Sequence, residues 1–291
     1  MKIRAAAKVN FGLRIVGKRK NGYHLIDTVI APVSLYDEIE IINTSDRSRR
    51  ITVVCRHRDV PGGPGNIVYR AAALFMAAHG IRSGVRININ KQIPVGSGLG
   101  GGSADAAATL IGLRRLFDVP TSDERLMRLA VSLGADVPFF IKGHPARARG
   151  IGERLKPLSS FPRYPLVILY PGIPISTAWV YGQLGEDLKL TKQTANTSMT
   201  AHLRSVGKLG KLLTNDLERV TLAKYPRIGS LKVRLLQEGA AAALMSGSGS
   251  AVFGVFGSKR KAQQAFRGLR KEEGVQAFLA HVLTNGIDTI P

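Results

Sequence analysis

The sequence predicts an α+β fold in two halves, and three observations carry that expectation. Stretches of strand character and of helical periodicity are interleaved, but without the regular strand–helix–strand spacing that a parallel sheet imposes. The chain contains no internal repeat. Its 291 residues correspond to about two domains at ~150 residues each. A proline- and serine-rich stretch, Leu155 to Tyr164, offers a place to divide them. The expected halves are residues 1–155 and 156–291.

Taken in order, the first segments read as strands. Ala6 to Ile15 alternates loosely, Ile39 to Ile42 and Ile51 to Val54 are short and β-branched, and turn residues lie between them. After the break Pro61-Gly62-Gly63-Pro64-Gly65, Asn66 can accept a hydrogen bond from a free helical N–H and start a helix that runs to His79. Ile67, Ala71, Leu74, Phe75 and Ala78 share one face of it, and Gly80 suits its end. Val85 to Ile89 is a strand. A helix from Ala104 to Phe117 sets Ala106, Leu110, Leu113 and Phe117 on one face, and a third, from about Asp123 to Leu133, stops at Gly134. Leu166 to Tyr170 is a continuous apolar run expected as a buried strand. Lys189 to Leu212 is polar or weakly amphipathic. Ala240 to Met245 and Ala251 to Phe256 are strands around a Gly/Ser turn, Ser258 can cap a charged helix to Glu273, and a last strand lies near Gln276 to Leu283.

With 44% hydrophobic and 21% charged residues the chain can bury a core, which excludes a wholly disordered protein. Cys55 is the one cysteine, so no internal disulfide exists and a reducing compartment suits the chain. Lys8 and Asn10 interrupt any apolar run near the N-terminus, which therefore does not read as a secretion signal. Gly239 to Gly257 is uncharged, but its centre, Ser246-Gly247-Ser248-Gly249-Ser250, suits a soluble turn rather than a bilayer. A cytoplasmic protein without a membrane partner is expected. The 42 Lys and Arg against 20 Asp and Glu give a net charge of +22. That excess favours anionic partners in general, whether nucleic acid, membrane surface or small molecule.

The densest chemical signal is Pro94-Val95-Gly96-Ser97-Gly98-Leu99-Gly100-Gly101-Gly102-Ser103-Ala104, a glycine loop between a strand and an alanine-rich helix. Glycine lets backbone N–H groups approach a ligand closely, and a helix start adds unpaired N–H groups and partial positive charge. Together they suit phosphate better than a mere flexible turn does. No Gly-Lys-Ser or Gly-Lys-Thr occurs, so this is not a Walker A loop. Gly96, Gly98 and Gly101 satisfy the spacing of a dinucleotide fingerprint, but with glycines this dense the match carries little, and the βαβ context is missing. His57-Arg58-Asp59 mimics a protein-kinase catalytic loop and lacks the asparagine that should follow.

The loop, from Pro94 through Gly98-Leu99-Gly100-Gly101-Gly102-Ser103, resembles the ATP loop of the GHMP kinases. Two further segments agree in order and position: Ala7-Lys8-Val9-Asn10-Phe11-Gly12-Leu13, similar to the first motif of that superfamily, and Leu244 to Phe253, similar to its C-terminal glycine motif. Asn21-Gly22-Tyr23-His24, Gly134 to Phe140, Gly150-Ile151-Gly152-Glu153 and Asn215-Asp216-Leu217-Glu218 resemble one branch of it. That branch phosphorylates the 2-hydroxyl of a cytidine-diphosphate-linked methylerythritol in the non-mevalonate route to isoprenoid precursors. The resemblance covers essentially the whole chain. It implies a two-domain GHMP kinase fold, with an N-terminal domain like one of ribosomal protein S5 and a ferredoxin-like C-terminal domain, and substrates in the cleft between them.

The resemblance also implies roles. Residues Pro94 to Ala104 would cradle ATP. Asp136 would be the general base, where an aspartate just past a helix could otherwise serve only as a cap. Lys8, which without the motif would be a solvated strand lysine, would orient that carboxylate and favour developing negative charge. Asn10, Tyr23 and His24 would hold the cytidine end, with Tyr181 as a second stacking face, Thr177 beside it, and Gly247, Ser248 and Gly249 against the cleft. Magnesium is expected with ATP. Most GHMP kinases read Gly-Leu-Gly-Ser-Ser-Ala, whereas positions 101 and 102 here are both glycine. The hydroxyl that often binds magnesium is therefore missing, Ser103 lies one residue late, and no protein ligand is assigned.

Two nucleotides do not require a net charge of +22, and the excess is scattered over Arg47 to Arg58, Arg147 to Lys156 and Lys259 to Lys271. With only 6% aromatic residues and no basic helix interleaved with them, a solvated cationic surface is expected and no nucleic-acid partner. The alternatives are another GHMP kinase with a different alcohol, such as homoserine or mevalonate, or a basic RNA-binding protein on an S5-like fold. Either a monomer or a homodimer suits the sequence.

Overall fold

The computed structural model describes residues 1–44, 50–184, 206–209 and 213–290. Most of the polar stretch Lys189 to Leu212 lies outside the described residues. Among those described, the chain builds a seven-stranded sheet and a four-stranded sheet with helices on both. The first sheet takes β1 (Lys2–Lys18), β2 (His24–Asn43), β3 (Ile51–Cys55), β4 (Val85–Asn90), β5 (Ala146–Gly150), β6 (Arg154–Pro157) and the last strand of the chain, β11 (Ile287–Ile290). β2 pairs with β1 along one edge; along the other it pairs with β5 at residues 26–30 and with β4 at residues 38–43. The short Ile39 to Ile42 strand of the sequence reading is thus the end of a 20-residue strand. The second sheet is antiparallel, in the order β10 (Gln276–His281), β7 (Pro165–Tyr170), β9 (Val252–Val255), β8 (Ala242–Met245). Sequence-adjacent β6 and β7 belong to different sheets, and β11 returns the C-terminus to β1.

Helices α1 (Ile67–Ala78), α2 (Gly101–Leu116), α3 (Asp123–Leu133) and α4 (Val137–Lys142) cover the first sheet, over a core that includes Ile3, Ile39, Ile41, Phe75, Ile87, Leu110 and Phe139. Asn66 caps α1 as expected, its Oδ1 accepting the Val68 N–H at 2.8 Å. α2 departs from the reading in two ways. It starts at Gly101 rather than Ala104, and Ala104 to Leu113 is buried on every side rather than along one stripe. Its run of alanines explains this, since small side chains let a helix sit between the sheet, α1 and α4 without voids. α5 (Thr177–Gly182), α6 (Val206–Leu209) and α7 (Glu218–Lys224) precede α8 (Pro226–Gln237) and α9 (Lys259–Leu269), which pack on the second sheet over Val167, Leu231, Leu235, Phe256 and Ala265. α9 ends at Leu269, four residues short of the expected Glu273. No described helix is long and apolar enough to cross a membrane.

One irregularity in β1 positions the site. Ile3 and Ala5 lie in the core under the helices, whereas Ala7, Val9 and Phe11, of the same parity, lie in the core between the sheets. The register with β2 shifts between Ala6 and Ala7, which turns the strand over at that point. The alternate residues Lys8 and Asn10 therefore face the helical side, where α2 begins. Phe11 closes the inter-sheet core, with ring centroids 5.0 Å from Phe161 and 5.4 Å from Phe253. We expect Phe11→Ala to lower unfolding stability by ~3–5 kcal/mol, the usual loss for truncating a buried phenylalanine. Urea titration checks this; a loss below ~1 kcal/mol would mean that the two sheets do not depend on this contact.

Candidate active site

Where the helical layer, the first sheet and the second sheet meet, a cavity of about 1070 Å³ opens. Lys8, Asn10, Ile26 and Thr28 of β1 and β2 line it, with the glycine loop, Asp136, Tyr181 and the Gly247-Ser248 turn around them. Lys8 is at the centre. Its main-chain N–H donates to the Leu99 carbonyl at 2.9 Å, joining the strand to the loop. Its Nζ donates to Asn10 Oδ1 at 2.7 Å and lies 3.8 Å from Asp136 Oδ2. Asn10 Nδ2 donates to Thr28 Oγ1 at 2.9 Å, and Thr28 Oγ1 in turn donates to the Gly12 carbonyl at 2.5 Å. The chain of bonds fixes which way each polar group points. Burial pushes the Lys8 ammonium below its usual range, and the Asp136 charge pulls against that.

Asp136 stands at the N-terminal edge of α4 in a helical conformation, and its carboxylate makes no cap bond. The capping alternative is thereby excluded. Its side chain is 41% exposed toward the cavity, against 6% for Lys8. Tyr181, on α5, packs its ring against His24, centroids 5.5 Å apart. Burial, with the Asp136 charge adding to it, pushes the Tyr181 phenol up, so it remains a hydrogen-bond donor throughout the physiological range. Burial and the Lys18 charge push the His24 imidazole down, so it is neutral near pH 7, with one donor and one acceptor nitrogen. Tyr23 stands at the rim, 60% exposed. Thr177 Oγ1 and Ser248 Oγ are 2.9 Å apart across the opening.

The glycine loop is held by the second half of the chain. Gly96 carbonyl accepts from Ile175 N–H and Ser97 carbonyl from Ala251 N–H, each at 2.9 Å, and Ser246 Oγ donates to the Gly98 carbonyl at 3.1 Å. Gly98 has φ +78°, and a Cβ there would collide with the Ser246 carbonyl oxygen; only glycine fits. The Ser97 hydroxyl is turned inward, donating to the Pro94 carbonyl at 2.6 Å. Gly100, Gly101, Gly102 and Ser103 line the cavity at the first turn of α2, whereas the side chains of Leu99 and Ala104 are buried in the cores. Gly249 stands behind the cavity wall, against Met245 and Thr221.

A family model described as GHMP kinases N terminal domain matches residues 66–144, and one described as GHMP kinases C terminal matches residues 198–276. The chain belongs to the GHMP kinases. It is 44% identical over 274 residues to the 4-diphosphocytidyl-2-C-methyl-D-erythritol kinase of Citrifermentans bemidjiense, a match covering 94% of this chain and 96% of that one. The enzyme of the same name from Geobacter metallireducens is 45% identical over 90% of this chain and 92% of its own. A crystal structure of 4-(cytidine 5'-diphospho)-2C-methyl-D-erythritol kinase superposes with TM-score 0.84 at 36% identity, covering 97% of this chain and 99% of that one. Homoserine kinase from Cytophaga hutchinsonii shares the fold, with TM-score 0.77 at 19% identity over 100% and 97% of the two chains. As a GHMP kinase, the protein is an ATP-dependent phosphotransferase.

Sequence reasoning about this GHMP kinase named the Asn215-to-Glu218 motif without a role for it, and missed Thr28, Asp37, Lys91 and Asp105. Asn215 donates to the Met245 carbonyl at 2.9 Å and the Gly247 carbonyl at 2.7 Å, Asp216 Oδ2 accepts from Ile15 N–H at 2.7 Å, and Glu218 Oε1 from Met245 N–H at 2.9 Å. The Asn215-to-Glu218 motif thus fastens the Gly/Ser turn to β1. Thr28 was legible as one of two polar residues inside the apolar run Ile26 to Val33. The cavity also continues past the loop to Pro61, Asn66, Ile67, Arg70 and Lys91. There Lys91 Nζ pairs with Asp37, and with Asp105 of α2 at 2.9 Å, all three side chains buried.

Burial pushes the Asp105 carboxyl up to about 8, outweighing the attraction of Lys91, and the nearby Asp37 charge adds to the rise. Oδ1 of Asp105 has no hydrogen-bond partner among the described residues. An unfolded chain releases this proton near 3.8, the fold only near 8, so the stability linked to it is full below 3.8 and gone once pH has risen through 8. We expect unfolding free energy to fall more steeply with pH in the wild type than in Asp105→Asn between roughly pH 6 and 8, by up to ~1.4 kcal/mol per pH unit. Parallel curves in urea titrations would show that Asp105 is ionised throughout.

Proposed function

We propose that this GHMP kinase transfers the γ-phosphoryl of ATP to the 2-hydroxyl of 4-diphosphocytidyl-2-C-methyl-D-erythritol. Asp136 takes the hydroxyl proton and Lys8 stabilises the charge that develops. The observation that carries the reading is the buried Lys8 ammonium 3.8 Å from the Asp136 carboxylate, with the phosphate-type glycine loop on one side and the His24–Tyr181 ring pair on the other. The relatives named for this acceptor, 44% and 45% identical over nine-tenths or more of the chain, support the choice of alcohol.

Phosphoryl transfer proceeds through a loose transition state, so positioning and charge neutralisation do most of the catalysis. The first turn of α2 and the loop residues that line the cavity, Gly96 to Gly98 and Gly100 to Ser103, supply backbone N–H groups for the triphosphate. Its adenine would lie at the far end, along Pro61 and Ile67. Burial disfavours the Lys8 charge and an anionic phosphate beside it relieves that cost, so Lys8 interacts more strongly with the transferring group than a solvated lysine would. Asn10 and Thr28 hold Nζ in place. The Asp136 carboxylate, free of any cap bond and open to the cavity, is available to the acceptor hydroxyl. Neutral His24 can both donate to and accept from the edge of cytosine, and Tyr23 and Tyr181 offer rings to stack on it.

Magnesium fits this site as a companion of ATP. Among the described residues no group of three or more His, Cys, Asp or Glu could hold a metal alone. Asp136 and Ser103 are among the oxygen donors that line the cavity, a sparse set that suits an ion held mainly by phosphate oxygens and water. Bound there, magnesium would neutralise charge on the β and γ oxygens.

Two outcomes are expected in steady-state assays with ATP, magnesium and this acceptor. Asp136→Asn should lower kcat by ~10²-fold or more while leaving the ATP KM within a factor of ~3. His24→Ala should raise the acceptor KM by ~10-fold or more, the cost of losing hydrogen bonds to a buried base edge, again with little effect on ATP. Phosphorylation of homoserine or mevalonate but not of the cytidine-bearing alcohol would keep the kinase and remove the acceptor. RNA affinity that persists with ATP bound would favour the RNA-binding alternative.

A further inference from the structure

The acceptor end of the cavity has two walls from distant parts of the chain. One is the turn joining β1 to β2, residues 19–23, which presents Tyr23 and leads into His24. The other is the turn joining β5 to β6, residues 151–153, beside Asp136: a Cβ placed on Gly152 would lie 3.9 Å from Asp136 Oδ1 and from the Ala135 carbonyl. An ion pair joins them. Arg19 Nη2 donates to Glu153 Oε1 at 2.8 Å, with the two side chains 35% and 21% exposed.

Both partners are fixed on their own turns. Glu153 Oε2 accepts the Ile151 N–H at 2.6 Å, folding the carboxylate back over its turn. Gly150, at φ +75°, makes room for that; a Cβ there would lie 2.7 Å from Oε1 and collide with Oε2. On the other side, Arg19 N–H donates to the Tyr23 carbonyl at 2.7 Å and Gly22 N–H to the Arg19 carbonyl at 2.9 Å, so the arginine backbone is part of the turn that carries Tyr23. Although burial alone would raise it, the Glu153 carboxyl is held below its usual range by backbone hydrogen bonds and by Arg19, and it is ionised at neutral pH. An isolated surface pair spends much of its attraction on immobilising two long side chains. Here the carboxylate is already immobilised by backbone.

We infer that Arg19 and Glu153 are positioning residues for the acceptor: their ion pair sets the separation between the nucleobase subsite at Tyr23 and His24 and the carboxylate of Asp136. Neither touches the glycine loop or the far end of the cavity, so the effect is confined to the acceptor and leaves ATP binding alone. The inference rests on the acceptor reading above, and names two residues that reading does not use.

The test compares wild type with Arg19→Ala, Glu153→Gln and the double variant. Cytidine diphosphate affinity is measured by calorimetry, and KM for acceptor and for ATP by steady-state kinetics. Glu153→Gln keeps an acceptor for the Ile151 N–H, so the turn persists while the charge on the bridge is lost; thermal unfolding verifies that the variants fold. Expected is a weakening of cytidine diphosphate binding and a rise in acceptor KM of about fivefold in each single variant, the scale of a well-fixed, partly exposed ion pair. The ATP KM should not move, and the double variant should be no worse than the worse single one. Additive losses, equal rises in both KM values, or no change would overturn the inference. A wild type that fails to bind cytidine diphosphate at all would overturn the acceptor reading itself, and this inference with it.

Discussion

Everything at the site depends on keeping one ammonium group, that of Lys8, inside the protein. An unpaired buried charge is costly, and the fold answers with two partners for the ammonium, the Asn10 amide oxygen at 2.7 Å and the Asp136 carboxylate at 3.8 Å, while the Leu99 carbonyl holds the lysine main chain. Through its side chain and its main-chain N–H together, Lys8 ties β1 to the start of α4 and to the glycine loop. The cost that remains is useful, because a lysine short of compensating charge favours an anion beside it.

The same logic explains the construction around it. The shift in register at Ala6 and Ala7 turns β1 over, so that apolar side chains leave the helical core for the inter-sheet core just as Lys8 and Asn10 come round to the cavity. The alanine-rich α2 is thin enough to be surrounded, which lets its N-terminus end at the cavity instead of at the surface. Glycine at position 98 allows the loop to lie against the Ser246 carbonyl, so the loop that lines the cavity is clamped by the second half of the chain. The serines nearest those glycines are spent on this scaffolding: Ser97 on the Pro94 carbonyl and Ser246 on that of Gly98.

Much of this was legible in the residues themselves. The Asn66 cap, the stop at Gly134, the apolar strand Leu166 to Tyr170 and the hairpin around Ser248 are local features, set by propensity and turn chemistry within a few residues. The glycine loop was read as a phosphate site from its own residues, whereas Lys8 and Asp136 were found through their resemblance to a family; spacing alone would have left Lys8 as an ordinary strand residue and Asp136 as a cap. The Lys91–Asp37–Asp105 cluster and the Arg19–Glu153 pair were not legible, because their members are separated by 14 to 134 positions and no periodicity links them.

The sequence by itself determined the α+β class, most element positions and the glycine-rich loop, because those follow from local backbone preference, alternation of apolar residues and short motifs. The tertiary structure decided which side chains meet. It turned β1 over at Ala7, buried α2 on all sides, returned β11 to the first sheet and brought His24 against Tyr181. Such contacts depend on register and packing between distant segments, where a shift of one residue in a strand reverses every side chain, and no local rule records that choice.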